Sequence, residues 1–219
     1  ALGGAFTVAL VDGSPAAATE AAERGAGRVY TPGAGGASTA DAVIVIPPDC
    51  RLTPHALLLY AEAMLRFPAC RLIYADDDRI EHGGQRVAGH FRCDWNAELL
   101  RSANYLDGPV CLPRIAWLAP SVAHDESITA GWWSRLLQLT ETARADEVVH
   151  VPHVLAHRFG PQAPALAPAD SAEVAAVQAH LARCGLPATA SPSLLGGVHV
   201  RYHSPDPAPL VSMIIPTRN

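Results

Sequence analysis

Apolar residues gather along this chain in short runs, separated by polar and Pro- or Gly-rich stretches. Residues 6–11 (FTVALV) form the first run and predict a short buried strand, closed by the turn chemistry of Asp12-Gly13-Ser14-Pro15. The Ala/Glu-rich residues 16–24 predict a helix, and 30–36 (with TPGAGG) a loop. Residues 43–46 (VIVI) predict a fully buried strand, ended by Pro47-Pro48. Thr53 is the expected N-cap of a helix that begins at Pro54 and runs to about Arg66, with Leu57, Leu58, Ala61 and Leu65 on its apolar face. Residues 71–74 form a third strand, which is expected to end at the turn Asp76-Asp77-Asp78.

Further along, 131–140 predict a helix with a Trp-rich start, and 147–158 (EVVHVPHVLAHR) a strand. A Pro/Ala-rich linker covers 160–169. Residues 170–183 then carry a complete helix signal. Asp170 or Ser171 caps it, Glu173 completes a capping box, Gly185 stops it, and Val174, Val177 and Leu181 form its apolar stripe. Val198, Val200 and Tyr202 alternate as in a strand, and a last apolar strand is expected at 210–215.

Strands alternating with helices predict an α/β domain with a parallel or mixed sheet and helices on its faces. Ligands of such sheets bind beyond the carboxyl ends of the strands. Three of the predicted strands end next to acids: Asp12, Asp49 and the Asp76-Asp77-Asp78 triplet.

A length of 219 residues fits one such domain with a small appendage, and 49% hydrophobic against 17% charged residues excludes a disordered tail. The basic side chains are 16 Arg and no Lys, and the net charge of -5 excludes a nucleic-acid backbone as a bulk electrostatic partner. No apolar run approaches the ~18–20 residues of a membrane span, and the first residues do not read as a signal peptide. Cysteines 50, 70, 93, 111 and 184 are odd in number and include no Cys-x-x-Cys pair. They read as free thiols in a reducing compartment, so a cytoplasmic location is expected.

Three constellations could carry chemistry. His150, His153 and His157 look metal-like, but Pro152 forbids a regular helix there. On a regular strand 153 and 157 share a face while 150 points away, so three-histidine ligation is not expected and a single ligand is. The Asp76-Asp77-Asp78 triplet offers hard oxygen ligands for a divalent cation, or forms a solvated turn. The glycine-rich stretch 30–38 lacks the spacing of a phosphate loop.

Residues 69–105 contain LIYADDDRIEHGGQR followed by FRCDWNAELLRSANYL. This resembles family 2 glycosyltransferases, in which an Ile-Tyr-Ser-Asp-Glu-Asp strand end leads to a polar hairpin. There the hairpin is followed by Phe-Lys-Pro-Asp-Trp-Asn-Pro-Asp-Leu-Leu and an Asn-Tyr. The order and spacing of Tyr74, Asp76, Asp78, Phe91, Asp94, Trp95, Asn96, Leu99, Leu100, Asn104 and Tyr105 match. FTVALVDGS resembles the family's second strand, DAVIVIPPDCRLTPHAL its metal-motif strand and following helix, DESITAGWWSRLLQL its catalytic helix, and VVHVPHVLAHRF its His-Ile-Pro strand. The resemblance covers about 5–160. The tail RYHSPDPAPLVSMIIPTRN resembles the junction between tandem glycosyltransferase domains.

The resemblance implies a GT-A-like (Rossmann-like) mixed sheet flanked by helices, with a C-terminal helix/strand extension. It implies transfer of a sugar from a UDP- or dTDP-type nucleotide-sugar to a glycan or cell-surface polysaccharide acceptor. A divalent metal (Mn or Mg) offsets diphosphate charge in such chemistry, and a carboxylate takes the acceptor proton. Carried over residue by residue, the nucleotide side takes Asp12, Ser14, Asp49, Thr217 and Asn219. The acceptor side takes Asp76, Asp78, Asp94, Trp95 and Asn104, and the metal Asp49 and His157. The departures are specific. The family's Asp-x-Asp reads Pro47-Pro48-Asp49, its base position falls on Gly131-Trp132, and its paired acids after the second strand are the single Asp12. Proline has no side-chain oxygen to ligate with, so metal binding is expected to be weak or absent.

Three readings follow. One is a glycosyltransferase domain, of low activity alone, with Asp125 or Glu126 as substitute base. Another is a degenerate domain that binds sugar, nucleotide or a partner domain without turnover. The third is a different α/β metal enzyme built on the Asp triplet and the histidines. The expected layout is a glycosyltransferase-like domain over 1–160 that starts at the family's second strand, a linker with one helix and one strand over 161–209, and a strand over 210–219. That last strand is expected to fill the sheet's vacant first position, in its own molecule or swapped into a dimer, or to lead into a following glycosyltransferase domain.

Overall fold

The computed structural model describes residues 8–11, 28–30, 41–47, 49–81, 83–118, 128–160 and 168–216. In chain order the strands are β1 (Val8–Val11), β2 (Arg28–Tyr30), β3 (Ala42–Val45), β4 (Cys50–Leu52), β5 (Leu72–Ile80), β6 (Arg86–His90), β7 (Val110–Pro113), β8 (Val148–Arg158), β9 (Ala188–Pro192) and β10 (Val198–Tyr202). The helices are α1 (Ala56–Arg66), α2 (Ala97–Ser102), α3 (Arg114–Leu118), α4 (Ile128–Thr140) and α5 (Ser171–Arg183). The first eight strands form one mixed sheet in the order β2-β1-β3-β7-β5-β8-β4, with β6 a ribbon on β5. β1 runs parallel to β2 and β3, and β5 parallel to β8, while β7 and β4 run antiparallel to their neighbours. This is the α/β sheet flanked by helices that the sequence predicts.

Alternation along the central strands divides the core into two layers. Leu72 and Tyr74 of β5, with Val110 and Leu112 of β7, pack with Trp133, Leu136 and Leu137 of α4 and Val177 and Leu181 of α5. Ile73 and Ala75, with Cys111, Val149 and Val151, face α1 on the other side.

Several expectations need correction. β5 does not stop at Tyr74: it continues through the acids to Ile80, because β8 and β6 pair with it on both edges. Pairing overrides the turn preference of aspartate, and Asp76, Asp77 and Asp78 are buried instead of forming a solvated turn. Thr53 does not cap α1. The N-cap is His55, without a side-chain cap bond, and Thr53 donates its backbone N–H to Leu155. The buried face of α1 is Ala56, Tyr60, Ala61 and Ala63, which leaves Leu57, Leu58 and Leu65 exposed. Small side chains let the helix lie close to the sheet, and the Tyr60 hydroxyl donates to the Pro109 carbonyl at 3.3 Å.

The α5 signal holds in full: Asp170 and Glu173 form the capping box, and Gly185 takes φ +65°. The segment around it is more than a linker, however. It carries a helix and two strands, β9 and β10, paired antiparallel, and it inserts Val177, Leu181, Ala188 and Val198 into the first core layer. No strand forms at 210–215. Leu210, Val211, Met213, Ile214 and Ile215 are all exposed, so this segment does not fill a sheet position in its own molecule.

Candidate functional site

Asp76, Asp77 and Asp78 lie side by side on β5, and their side chains alternate across the strand. The partners divide accordingly.

On the first face, Asp76 Oδ1 accepts the backbone N–H of Arg92 at 2.9 Å and meets His150 Nε2 at 2.9 Å. His150 Nδ1 lies 3.2 Å from the exposed Asp94. The imidazole is held flat on Tyr74, with ring centroids 4.9 Å apart and planes 10° apart. Tyr74 in turn donates its hydroxyl to the Cys93 carbonyl at 2.8 Å. Burial, and then the neighbouring Tyr105, pushes the Tyr74 hydroxyl pKa far above its ordinary value. Asp78 is gripped by His157 Nδ1 and by Arg86.

That both histidines reach this face is the work of β8. Between the pairs Ala75–Val151 and Arg79–Arg158, β5 advances four residues and β8 seven. The three extra residues are accommodated as bulges around Pro152, which has no N–H to leave unpaired. An odd insertion reverses the strand's phase, so His157 joins His150 instead of opposing it, while His153 is exposed. A regular strand predicts the opposite grouping, and the bulge corrects it.

On the second face, Asp77 is 1% exposed and contacts two guanidinium groups, Arg92 at 2.7 Å and Arg158 at 3.3 Å, with His90 at 3.7 Å. Burial alone would raise the Asp77 pKa, but His90 and the two arginines beside it outweigh this and hold the carboxyl well below the usual range. Arg92 is almost saturated: it donates to the Tyr105 and Ala75 carbonyls at 2.8 Å each, to Asp77, and to Asp107 at 2.8 Å. Gly108 makes this possible, since a Cβ there would stand 2.7 Å from Arg92 Nη2 and 2.8 Å from Asp77 Oδ2. Arg158 also reaches Asp107 at 3.0 Å and Asp49 at 3.5 Å. The Cys50 thiol, beside Asp49, is pushed up to about 12 by burial, an effect that Arg158 only partly offsets, so it is no nucleophile at neutral pH.

The predicted residues thus fall into separate groups. Asp76, Asp78 and Asp94 meet with His150 and His157. His157 is engaged by Asp78, and Asp49 by Arg158. Trp95 is half-buried and packs on the first core layer, while Asn104 has a buried side-chain oxygen with no hydrogen-bond partner. Gly131 and Trp132 lie in α4, half-buried. Asp12, Ser14, Asp125, Glu126, Thr217 and Asn219 lie outside the described residues. Sequence reasoning singled out Asp77 only as part of the acidic triplet and missed Arg92, Asp107 and Arg158. The available hint was the exclusive use of Arg, whose planar fork suits buried carboxylate pairs.

Two groups among the described residues bring three ligand-type atoms together: Asp77, His90 and Asp107, and Glu141, His180 and Cys184. In the first, two guanidinium groups already stand among the oxygens. In the second, the Cys184 sulfur is 3.8 Å from both nitrogens of His180, hence over the ring instead of in line with a lone pair. Glu141 there is also paired with Arg183 at 2.7 Å.

No family model matches the chain. It is 30% identical over 186 residues, 81% of its length, to the uncharacterized protein y4gI of Sinorhizobium fredii. It is 32% identical over 174 residues, 77% of its length, to the O-antigen biosynthesis protein RfbC of Myxococcus xanthus. The chain spans 20% and 13% of the lengths of these relatives. Among solved structures it is similar to glucosyl-3-phosphoglycerate synthase of Mycobacterium tuberculosis in complex with Mn2+, UDP-glucose and phosphoglyceric acid. That match has 16% identity and a TM-score of 0.46, and covers 91% of this chain and 88% of the other.

Proposed function

We propose that this chain is a glycosyltransferase-like domain of a longer polysaccharide-assembling protein. It holds a UDP- or dTDP-type nucleotide-sugar at the strand ends and faces a glycan acceptor with the Asp76, Asp78, Asp94, Trp95 and Asn104 side of the cleft. The observation that carries this reading is the chain Asp94–His150–Asp76. It joins the segment 69–105 to β8, two segments far apart in sequence that are each matched to the same family, on the central strand β5. The similarity to an O-antigen biosynthesis protein over 77% of the chain supports the same reading.

A second reading, binding without turnover, is favoured by the engagement of the acids of β5. Asp76, Asp77 and Asp78 are each paired with Arg or His, and Gly131-Trp132 offers no proton acceptor where the family has its base. A missing general base removes roughly 10²–10⁴-fold in rate. Calorimetry with UDP, dTDP and UDP-sugars, alongside a sugar-release assay, tests both readings. Nucleotide binding with little or no sugar release is the expected outcome. Absence of any binding at millimolar nucleotide rejects the nucleotide site, and sustained turnover rejects the non-catalytic reading.

A further inference from the structure

The family resemblance implies a divalent cation at Asp49, and the donor set there does not fit one. Pro47 contributes no side-chain oxygen. Asp49, Asp77 and Asp107 are the available carboxylates, and each already faces a guanidinium group between 2.7 and 3.5 Å away. Three carboxylates against two arginines leave a single net negative charge, where a divalent ion needs several free oxygens at about 2.0–2.6 Å.

The two arginines differ. The Arg92 side chain is 1% exposed and bonded to two backbone carbonyls and two carboxylates, so it belongs to the frame. Arg158 is 15% exposed, and two of its partners, Asp49 and Asp107, are 42% and 45% exposed. Its Nη2 is buried close to Asp107 but off the line of a hydrogen bond, so a donor is left without an acceptor. Burial disfavours the charge of Arg158, yet Asp107 and other neighbours raise its pKa above the ordinary arginine value and keep it cationic.

We propose that the Arg158 guanidinium is the resident cation of this site, standing where a metal ion would be expected, and that a diphosphate is recognised here without a divalent metal. The fork of an arginine donates to phosphate oxygens as readily as to carboxylates. Asp49 and Asp107, the water-facing partners, are the ones a diphosphate replaces. The phosphate half of this inference rests on the nucleotide reading above; the cation assignment does not.

Titration with Mn2+, read by electron paramagnetic resonance, tests the cation assignment directly. The native protein is expected to take up no Mn2+ at concentrations up to about 1 mM. Arg158→Gln frees Asp49, leaves Asp77 and Asp107 with Arg92 alone and should gain Mn2+ binding, whereas Arg158→Lys keeps the charge and should not. Uptake by the native protein, or a folded Arg158→Gln that binds none, overturns the assignment. If Arg158→Gln does not fold, the native and Arg158→Lys titrations still decide it. In a second arm, UDP affinity is measured by calorimetry in EDTA and in Mn2+. The native values should agree, and Arg158→Gln should lose about ten-fold or more in EDTA, the loss expected for a charge-assisted hydrogen bond. Native binding that requires Mn2+ overturns metal-free recognition. If no form binds UDP while the Mn2+ titrations come out as expected, the nucleotide reading fails with its phosphate corollary and the cation assignment stands.

Discussion

Asp77 shows how strongly one position can be determined by groups distant in sequence. Its carboxylate is surrounded by Arg92, Arg158 and His90, and its depressed pKa links it to stability. In the unfolded chain an aspartate titrates near 3.9, so as the pH falls the unfolded state takes up this proton first. The stability Asp77 contributes is therefore complete above about pH 5 and is lost as the pH falls through 4 towards the folded pKa. Asp77→Asn should destabilise the protein by about 3 kcal/mol at neutral pH, since a buried guanidinium loses one of its carboxylates. It should also flatten the acid limb of the stability curve. Urea unfolding of both proteins over a pH series checks this, and parallel acid limbs would rule it out.

At the scale of elements, β8 decides which side chains meet. Its three extra residues opposite β5 turn His157 towards Asp78, and an even number would turn it away. His153 is exposed within the bulged stretch. His153→Ala should therefore change stability by no more than about 0.5 kcal/mol, as surface substitutions generally do. Deleting His153 restores an even count and reverses the strand beyond it, detaching His157 and Arg158 from their acids. Several kcal/mol should be lost, on the scale of broken buried ion pairs. Chemical denaturation of the two variants compares them directly, and a deletion as mild as the alanine substitution would show that register is not what places His157. The extent of α5 was legible in the sequence because its cap, stripe and stop are local signals. The bulge was not, because an extra residue is defined only against the partner strand.

For the whole molecule, the C-terminal region divides into a part that belongs to the core and a part that does not. Val177, Leu181, Ala188 and Val198 pack with Trp133, Leu136 and Leu137, and His180 sits between Glu141 at 3.1 Å and Arg101 at 3.2 Å. Tyr202 donates to Glu98 of α2, so the extension also braces the helix that follows Asp94 and Trp95. Truncation after Gly160 should abolish cooperative unfolding. Truncation after Pro209 should leave the melting temperature unchanged, since the described residues beyond it are exposed and unpaired. Thermal unfolding followed by circular dichroism reads both. A marked fall on the shorter truncation would mean that 210–216 contacts another copy of the chain.

The sequence by itself determined the α/β class, the positions of β3, β8 and α5, and the segments that converge on β5, because hydrophobic period, capping and turn residues act over a few neighbouring positions. It also showed that Pro47 cannot ligate a metal, since that is a property of the side chain alone. Tertiary structure decided the rest. The Asp triplet became strand because two other strands paired beside it, and Leu57, Leu58 and Leu65 were left exposed because alanines brought α1 close to the sheet. Asp77 was matched to Arg158, some eighty residues away, because charges in a low-dielectric interior must be matched by whatever partner the fold brings within reach.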